Sequence, residues 1–146
     1  MLYLLIFLIT ISDQLIKLYI ENNFIYGESI AIIHNIFHIT YVKNTGAAFG
    51  ILKGKTTFFI IISAVIILFL LIYRYYLERS SLLDMSFALI IGGAIGNLID
   101  RVRLNYVVDY LDFRIWPVFN LADSAVVIGA IIFVIYIIFL EDNIDK

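Results

Sequence analysis

Four long apolar runs, a hydrophobic content of 63% against 15% charged residues, and a single proline predict an all-α membrane protein of four transmembrane helices. A small β-sheet is expected between helices 1 and 2. Soluble domains are roughly 45–50% apolar and about 25% charged, whereas this chain has a mean hydropathy of +1.02. Its 146 residues suit one domain, 1–146. The absence of cysteine excludes disulfides, thiolate metal sites and a cysteine nucleophile, and a net charge of −2 offers no basic patch for nucleic acid.

A span needs about 20 mostly apolar residues. The first run, about 1–20, is clean to Ile11 and then holds Ser12, Asp13, Gln14 and Lys17. It has no basic start and no small-residue cleavage site, so a retained helix is expected over a cleaved signal peptide. The second, about 58–76, is almost pure Ile, Leu, Phe and Val. The third, about 83–99, carries Asp84 near one end and Gly92, Gly93, Gly96 and Asn97 towards the other. The fourth, about 121–140, is apolar after Ser124. Four spans put both termini on one side and loops 21–57 and 100–120 on the other. In the first of these loops, Ala31 to Val42 is β-branched and aromatic, with Asn35 marking a turn between two short strands.

The polar residues in or beside these runs are costly at membrane depth, which makes them candidates for function. Asp13 and Lys17 are spaced i, i+4 and share a helix face, where an intrahelical ion pair is the simpler reading. The glycines of the third span permit close helix approach. Asn97 and Arg101 are one turn apart; Asp100 reads as a helix-end residue with an arginine partner, while Asn97 must find hydrogen-bond partners inside the span. Asn120 and Asp123 have the spacing of a helix cap and its acid, so capping and catalysis stay equally open for Asp123. Asp109, inside the apolar run VVDY, has no local structural reason to be there.

Two carboxylates at one depth in a low-dielectric site cannot both ionise easily and share a proton. One can then take a proton from water while the other donates to a carbonyl or leaving amine. This is aspartic-protease chemistry, with no cofactor or metal expected. His34 and His38 lie in an expected strand, where i, i+4 residues do not converge on a metal, and no GxSxG or phosphate loop is present. Two rival classes remain: a proton-coupled transporter, whose acids would be spread through the bilayer, and a structural subunit indifferent to losing them.

The runs SDQLIK (12–17), KNTGAAFG (43–50), GNLIDR (96–101), VVDY (107–110) and FNLADS (119–124), in this order over nearly the whole chain, resemble the lipoprotein signal peptidases (signal peptidase II). The resemblance implies Asp109 and Asp123 as catalytic aspartates, with Asp13 and Lys17 as a support pair. It places Asn44 on a surface sheet with Gly46 to Phe49 beside it. Asn97 and Arg101 would hold the substrate or the inhibitor globomycin, and Asp100 and Asn120 would support the site. It further implies a diacylglyceryl prolipoprotein substrate cut before its lipidated cysteine, acyl chains lying in membrane lipid, and a bacterial inner membrane location. Both termini would be cytoplasmic and the sheet extracytoplasmic. Charge alone points the other way, because Lys43, Lys53, Lys55, Arg101, Arg103 and Arg114 fall on the motif side. Tyr110 stands where the family usually has Phe, and the segment between the aspartates is short.

Overall fold

A computed structural model describes residues 1–46, 54–77 and 80–139. Its elements are α1 (Leu2–Asn23), β1 (Ser29–Ile33), β2 (Phe37–Asn44), α2 (Thr56–Tyr76), α3 (Ser81–Leu104), β3 (Val107–Asp112) and α4 (Leu121–Phe139). All four helices are long and apolar enough to cross a membrane. α1 and α3 outrun the expected spans at their C-terminal ends. There Asp13 to Lys17 and Asn97 to Arg103 lower the hydropathy without breaking the helix, because their polar groups turn towards protein rather than lipid.

α3 is the centre of the bundle and packs against α1, α2 and α4. Ser80 caps its start by accepting the Leu83 N–H, and Asn105 ends it in the left-handed conformation at φ 64°. Its glycines set the helix spacing. A Cβ on Gly92 would meet Ile9 and the Ile6 carbonyl of α1, and one on Gly93 would strike the Ala122 carbonyl of α4. Gly129 of α4, which no motif in the sequence marks, approaches α3 as closely: its carbonyl accepts the Ser86 hydroxyl at 2.8 Å. Phe87, Ile91, Leu83 and Ile6 fill the core between these contacts. At the end of the bundle away from the strands, Arg74 of α2 pairs with Asp84 of α3 at 2.6 Å.

The sheet is antiparallel in the order β1-β2-β3. Asn35, at φ 59°, makes the expected turn between β1 and β2. β1 and β2 form the expected small sheet between helices 1 and 2, and a third strand, β3, joins it from between α3 and α4. Val107–Asp112 is too short and too mixed to declare a strand without a partner edge, and β2 supplies that edge. The pairing of β2 with β3 also puts loops 21–57 and 100–120 on one side, as span parity requires. In the β2–β3 register, Val42 faces Asp109, Lys43 faces Val108 and Asn44 faces Val107. Because strand side chains alternate, Asp109, Val42 and Asn44 share one face. Tyr41, Val108 and Tyr110 share the other and pack with Ile20 of α1.

The helix spacing is testable at Gly129. A Cβ there would sit 2.8 Å from both the Ser86 carbonyl oxygen and Ile90 Cγ1. Gly129→Leu therefore overpacks the α3–α4 seam and should destabilise the protein by about 1–3 kcal/mol or more, read as a lower Tm in detergent micelles.

Candidate active site

β3 carries Asp109 to the junction of the sheet and the bundle, where it is 1% exposed. Asn120 Nδ2 donates to its Oδ1 at 2.7 Å and Asn44 Nδ2 donates to its Oδ2 at 2.9 Å. Burial, reinforced by the charge of Asp123, pushes its carboxyl up to about 7; the two asparagine donors and Lys17 act in the opposite sense. Asp109 therefore titrates near neutrality, as an acid–base group must.

Asp123 lies in the first turn of α4. Its N–H donates to Asn120 Oδ1 at 2.8 Å, and its Oδ2 accepts the Asn120 N–H at 3.3 Å. This is a reciprocal capping box with a shorter acid. Its other oxygen, Oδ1, accepts from Asn97 Nδ2 at 2.7 Å. Capping and access to the site therefore coexist in one residue, and the cap fixes where the carboxylate points.

Two asparagines link the carboxylates. Asn120 Nδ2 also donates to Asn97 Oδ1 at 3.1 Å, and Lys17 Nζ donates to the same oxygen at 2.8 Å. With two donors on its oxygen, the Asn97 amide has to turn its NH₂ towards Asp123. Lys17 in turn pairs with Asp13 at 2.9 Å and Asp100 at 3.0 Å, all three side chains being fully buried. The expected Asp13–Lys17 pair is thus present and larger than expected. Asp100, however, pairs with Lys17 and not with an arginine. On α3, Asp100 turns to α1, and Arg101, about 100° further round the helix, turns to the opposite cavity.

The remaining acceptors of this cluster are matched. Asp100 Oδ2 accepts the Val108 N–H at 3.0 Å and Oδ1 accepts Gln14 Nε2 at 2.9 Å. Asp13 Oδ1 accepts the Ala122 N–H at 3.0 Å. Gln14 thus belongs to the cluster, a role the sequence motifs do not assign it. Its signal was available: Gln14 is i, i+3 from Lys17, so it continues the polar face of α1.

Asp109 and Asp123 both line a cavity of about 700 Å³ between the sheet and helices α2, α3 and α4. Arg101 forms part of its wall, with its guanidinium 5.1 Å over the Phe59 ring and no ion pair among the described residues. Asn44 stands beside it, and its Oδ1 accepts the Gly46 N–H at 3.0 Å. Ala47, Ala48 and Phe49 lie outside the described residues. Trp116 to Phe119 close the far side of the cavity. Of the histidines, His34 occupies the hairpin turn and His38 meets the Ser29 hydroxyl at 3.2 Å, both away from the cavity.

A family model for signal peptidase (SPase) II matches residues 5–139. The chain belongs to the signal peptidase II family. It is 56% identical over 137 residues to the lipoprotein signal peptidase of Halothermothrix orenii, a match covering 94% of each chain. It is 48% identical over 146 residues to that of Clostridioides difficile, covering 98% of this chain and 99% of the relative. Among solved structures, a bacterial membrane enzyme determined in meso at 2.3 Å superposes with a TM-score of 0.86 at 37% identity, over 99% of this chain and 90% of its own. A second, at 1.9 Å, gives 0.84 at 36%, over 94% and 92%. As a signal peptidase II, the chain is an aspartic peptidase and a multi-pass bacterial membrane protein.

The ion cluster makes a direct prediction. Lys17→Met strands two buried carboxylates, a change that costs about 3–5 kcal/mol, and should lower the Tm sharply. Adding Asp13→Asn and Asp100→Asn removes the stranded charges and should recover part of that loss. A triple variant no more stable than Lys17→Met would show that the charges are not what the cluster balances.

Proposed function

We propose that this signal peptidase II removes signal peptides from diacylglyceryl-modified prolipoproteins, cutting before the lipidated cysteine with a water activated by Asp109 and Asp123. The observation that carries this reading is that both carboxylates open onto one cavity at the rim of the bundle, each held by an asparagine amide. A peptide crossing that rim keeps its acyl chains in lipid while its scissile bond meets the acids. The names of the relatives, lipoprotein signal peptidases, point to the same substrate class.

The two aspartates hold one proton between them. The ionised carboxylate takes a proton from water as the oxygen attacks the scissile carbonyl carbon, and the other gives its proton to the carbonyl oxygen. Collapse of the resulting gem-diol breaks the C–N bond, and the nitrogen leaves with a proton as the free amine of the cysteine. Asn97, Arg101 and Asn44 position the peptide. The guanidinium of Arg101, held over Phe59, is available to a peptide carbonyl, and a globomycin-type inhibitor would occupy the same cavity.

Both termini are assigned to the cytoplasm, and the sheet and cavity to the extracytoplasmic side. The basic residues on the motif side argue the reverse, but two of them, Arg101 and Arg103, have partners at the rim that account for their presence: Phe59 and Glu21. Among the described residues, the carboxylates of the spanning helices fall into two groups, Asp84 at one end of the bundle and Asp13, Glu21, Asp100 and Asp123 in the half nearer the sheet. A proton relay through the bilayer would need acids between them, so hydrolysis is favoured over transport.

Purified protein given a diacylglyceryl prolipoprotein should release its signal peptide. Asp109→Asn and Asp123→Asn should each lower the rate by about 10²-fold or more while remaining folded; near wild-type cleavage by either would end the two-aspartate mechanism. The rate should also fall on the alkaline side. Asp109 titrates at about 7, so above that value the pair loses its shared proton and with it the general acid. A rate that keeps rising through pH 9 would contradict this assignment.

A further inference from the structure

Lys43 lines the same cavity as Asp109 and Asp123 without bonding to either carboxylate, and it has an unusual environment. It is the penultimate residue of β2, and its side chain points to the face opposite Asn44 and Val42. Its ammonium stands 5.5 Å from the Tyr26 ring centroid, 5.7 Å from Tyr41 and 5.1 Å from Tyr106. The Tyr26 and Tyr41 rings meet edge to face at 6.3 Å and 87°, and the Tyr41 and Tyr106 hydroxyls are 3.4 Å apart. Burial, with the Tyr106 hydroxyl second, pushes the Tyr41 phenol above its ordinary range, so that ring stays neutral. Among the described residues Lys43 has no hydrogen bond or salt bridge. Its ammonium is held by the ring faces.

The three rings come from three segments: Tyr26 from the α1–β1 connection, Tyr41 from β2, and Tyr106 from the α3–β3 connection. Lys43 therefore ties the end of β2 to both neighbouring connections. Asn44, the last residue paired in that ladder, is opposite Val107, and β2 ends with it. A strand terminus held only by its final backbone pair frays. Asn44 must not fray, because its Nδ2 donates to Asp109 Oδ2.

We propose that Lys43 is a positioning residue for the reaction: by filling its tyrosine cage it fixes the end of β2 and keeps the Asn44 amide on Asp109. The proposal rests on Asp109 acting in catalysis. It requires a cation at position 43, not merely bulk. It acts on the chemical step, because its link to Asp109 runs through the Asn44 amide; a direct contact with the peptide, from its place in the cavity wall, would instead appear in KM.

The test is a double-mutant cycle on the full-length protein, with cleavage of a diacylglyceryl prolipoprotein as the readout. Lys43→Met keeps the length of the side chain and removes its charge; it should lower kcat about tenfold with little change in KM, and Lys43→Arg should restore it. In an Asn44→Ala background Lys43→Met should have no further effect, because the path to Asp109 is already cut. Tyr106→Phe, which keeps the ring, should behave as wild type, and Tyr106→Leu should resemble Lys43→Met. The alkaline limb of the kcat profile reports on Asp109 directly. Asp109 is faced by Asp123 from α4, Arg101 from α3, Lys17 from α1 and Tyr110 of its own strand. Losing the Asn44 donor removes one influence that lowers its pKa, so the limb should move to higher pH in Lys43→Met. Equal losses in Lys43→Met and Lys43→Arg, or a full further loss from Lys43→Met on top of Asn44→Ala, would overturn the proposal, as would an unmoved limb. Where Lys43→Met does not fold, Tyr106→Leu carries the same comparisons. Asp109→Asn run in parallel separates the two readings. If it is inactive and Lys43→Met is normal, only the positioning role fails; if it is active, the catalytic reading fails and takes this one with it.

Discussion

The structure depends most on one buried ammonium. Lys17 has three N–H donors, and each has a separate acceptor: Asp13, Asp100 and Asn97. No water is needed to satisfy it, which is what permits a charged lysine to be fully buried within a membrane bundle. Its partners extend the constraint. Through Asp13 it reaches the Ala122 N–H at the start of α4, and through Asp100 the Val108 N–H of β3. One charge therefore sets the relative placement of α1, α3, α4 and the strand that bears Asp109.

The same cluster determines which way the polar groups of the site face. An asparagine amide can be turned either way unless its partners decide. Lys17 and Asn120 both donate to Asn97 Oδ1, so the NH₂ is left for Asp123. Asn120 is likewise fixed by accepting the Asp123 N–H on one end and donating to Asp109 from the other. Each aspartate thus receives asparagine donors, and at Asp109 burial and the neighbouring aspartate act against ionisation while those donors favour it. For Asp109 the balance falls near neutrality, the range in which a carboxyl can both hold and release a proton at physiological pH.

Close packing makes this possible. Gly93 and Gly96 bring α3 against Ala122 and Asp13, and Gly129 brings α4 against Ser86. A Cβ on Gly96 would collide with the Asp13 carboxylate, so the ion cluster and the small-residue seam require each other. In lipid, where apolar burial gives helices little reason to associate, such seams and internal hydrogen bonds carry the packing.

Read along the chain alone, the residues are enough to place the four spans, to gather the motifs on one side by parity, and to mark Asp109 and Asp123 as candidates. These follow from hydropathy and from the cost of charge in lipid, both readable along the chain. The ion pair of Asp13 and Lys17 was legible too, because helical spacing alone brings i and i+4 together. Contacts between residues distant in sequence settled the rest. β3 is a strand only because β2 offers it an edge, Asp100 meets Lys17 only because α1 and α3 touch, and Gly129 matters only because Ser86 lies opposite. Asp123 shows where the division falls: its capping role is written in three consecutive steps of sequence, but its place at the cavity is set by Asn97, reached through the fold.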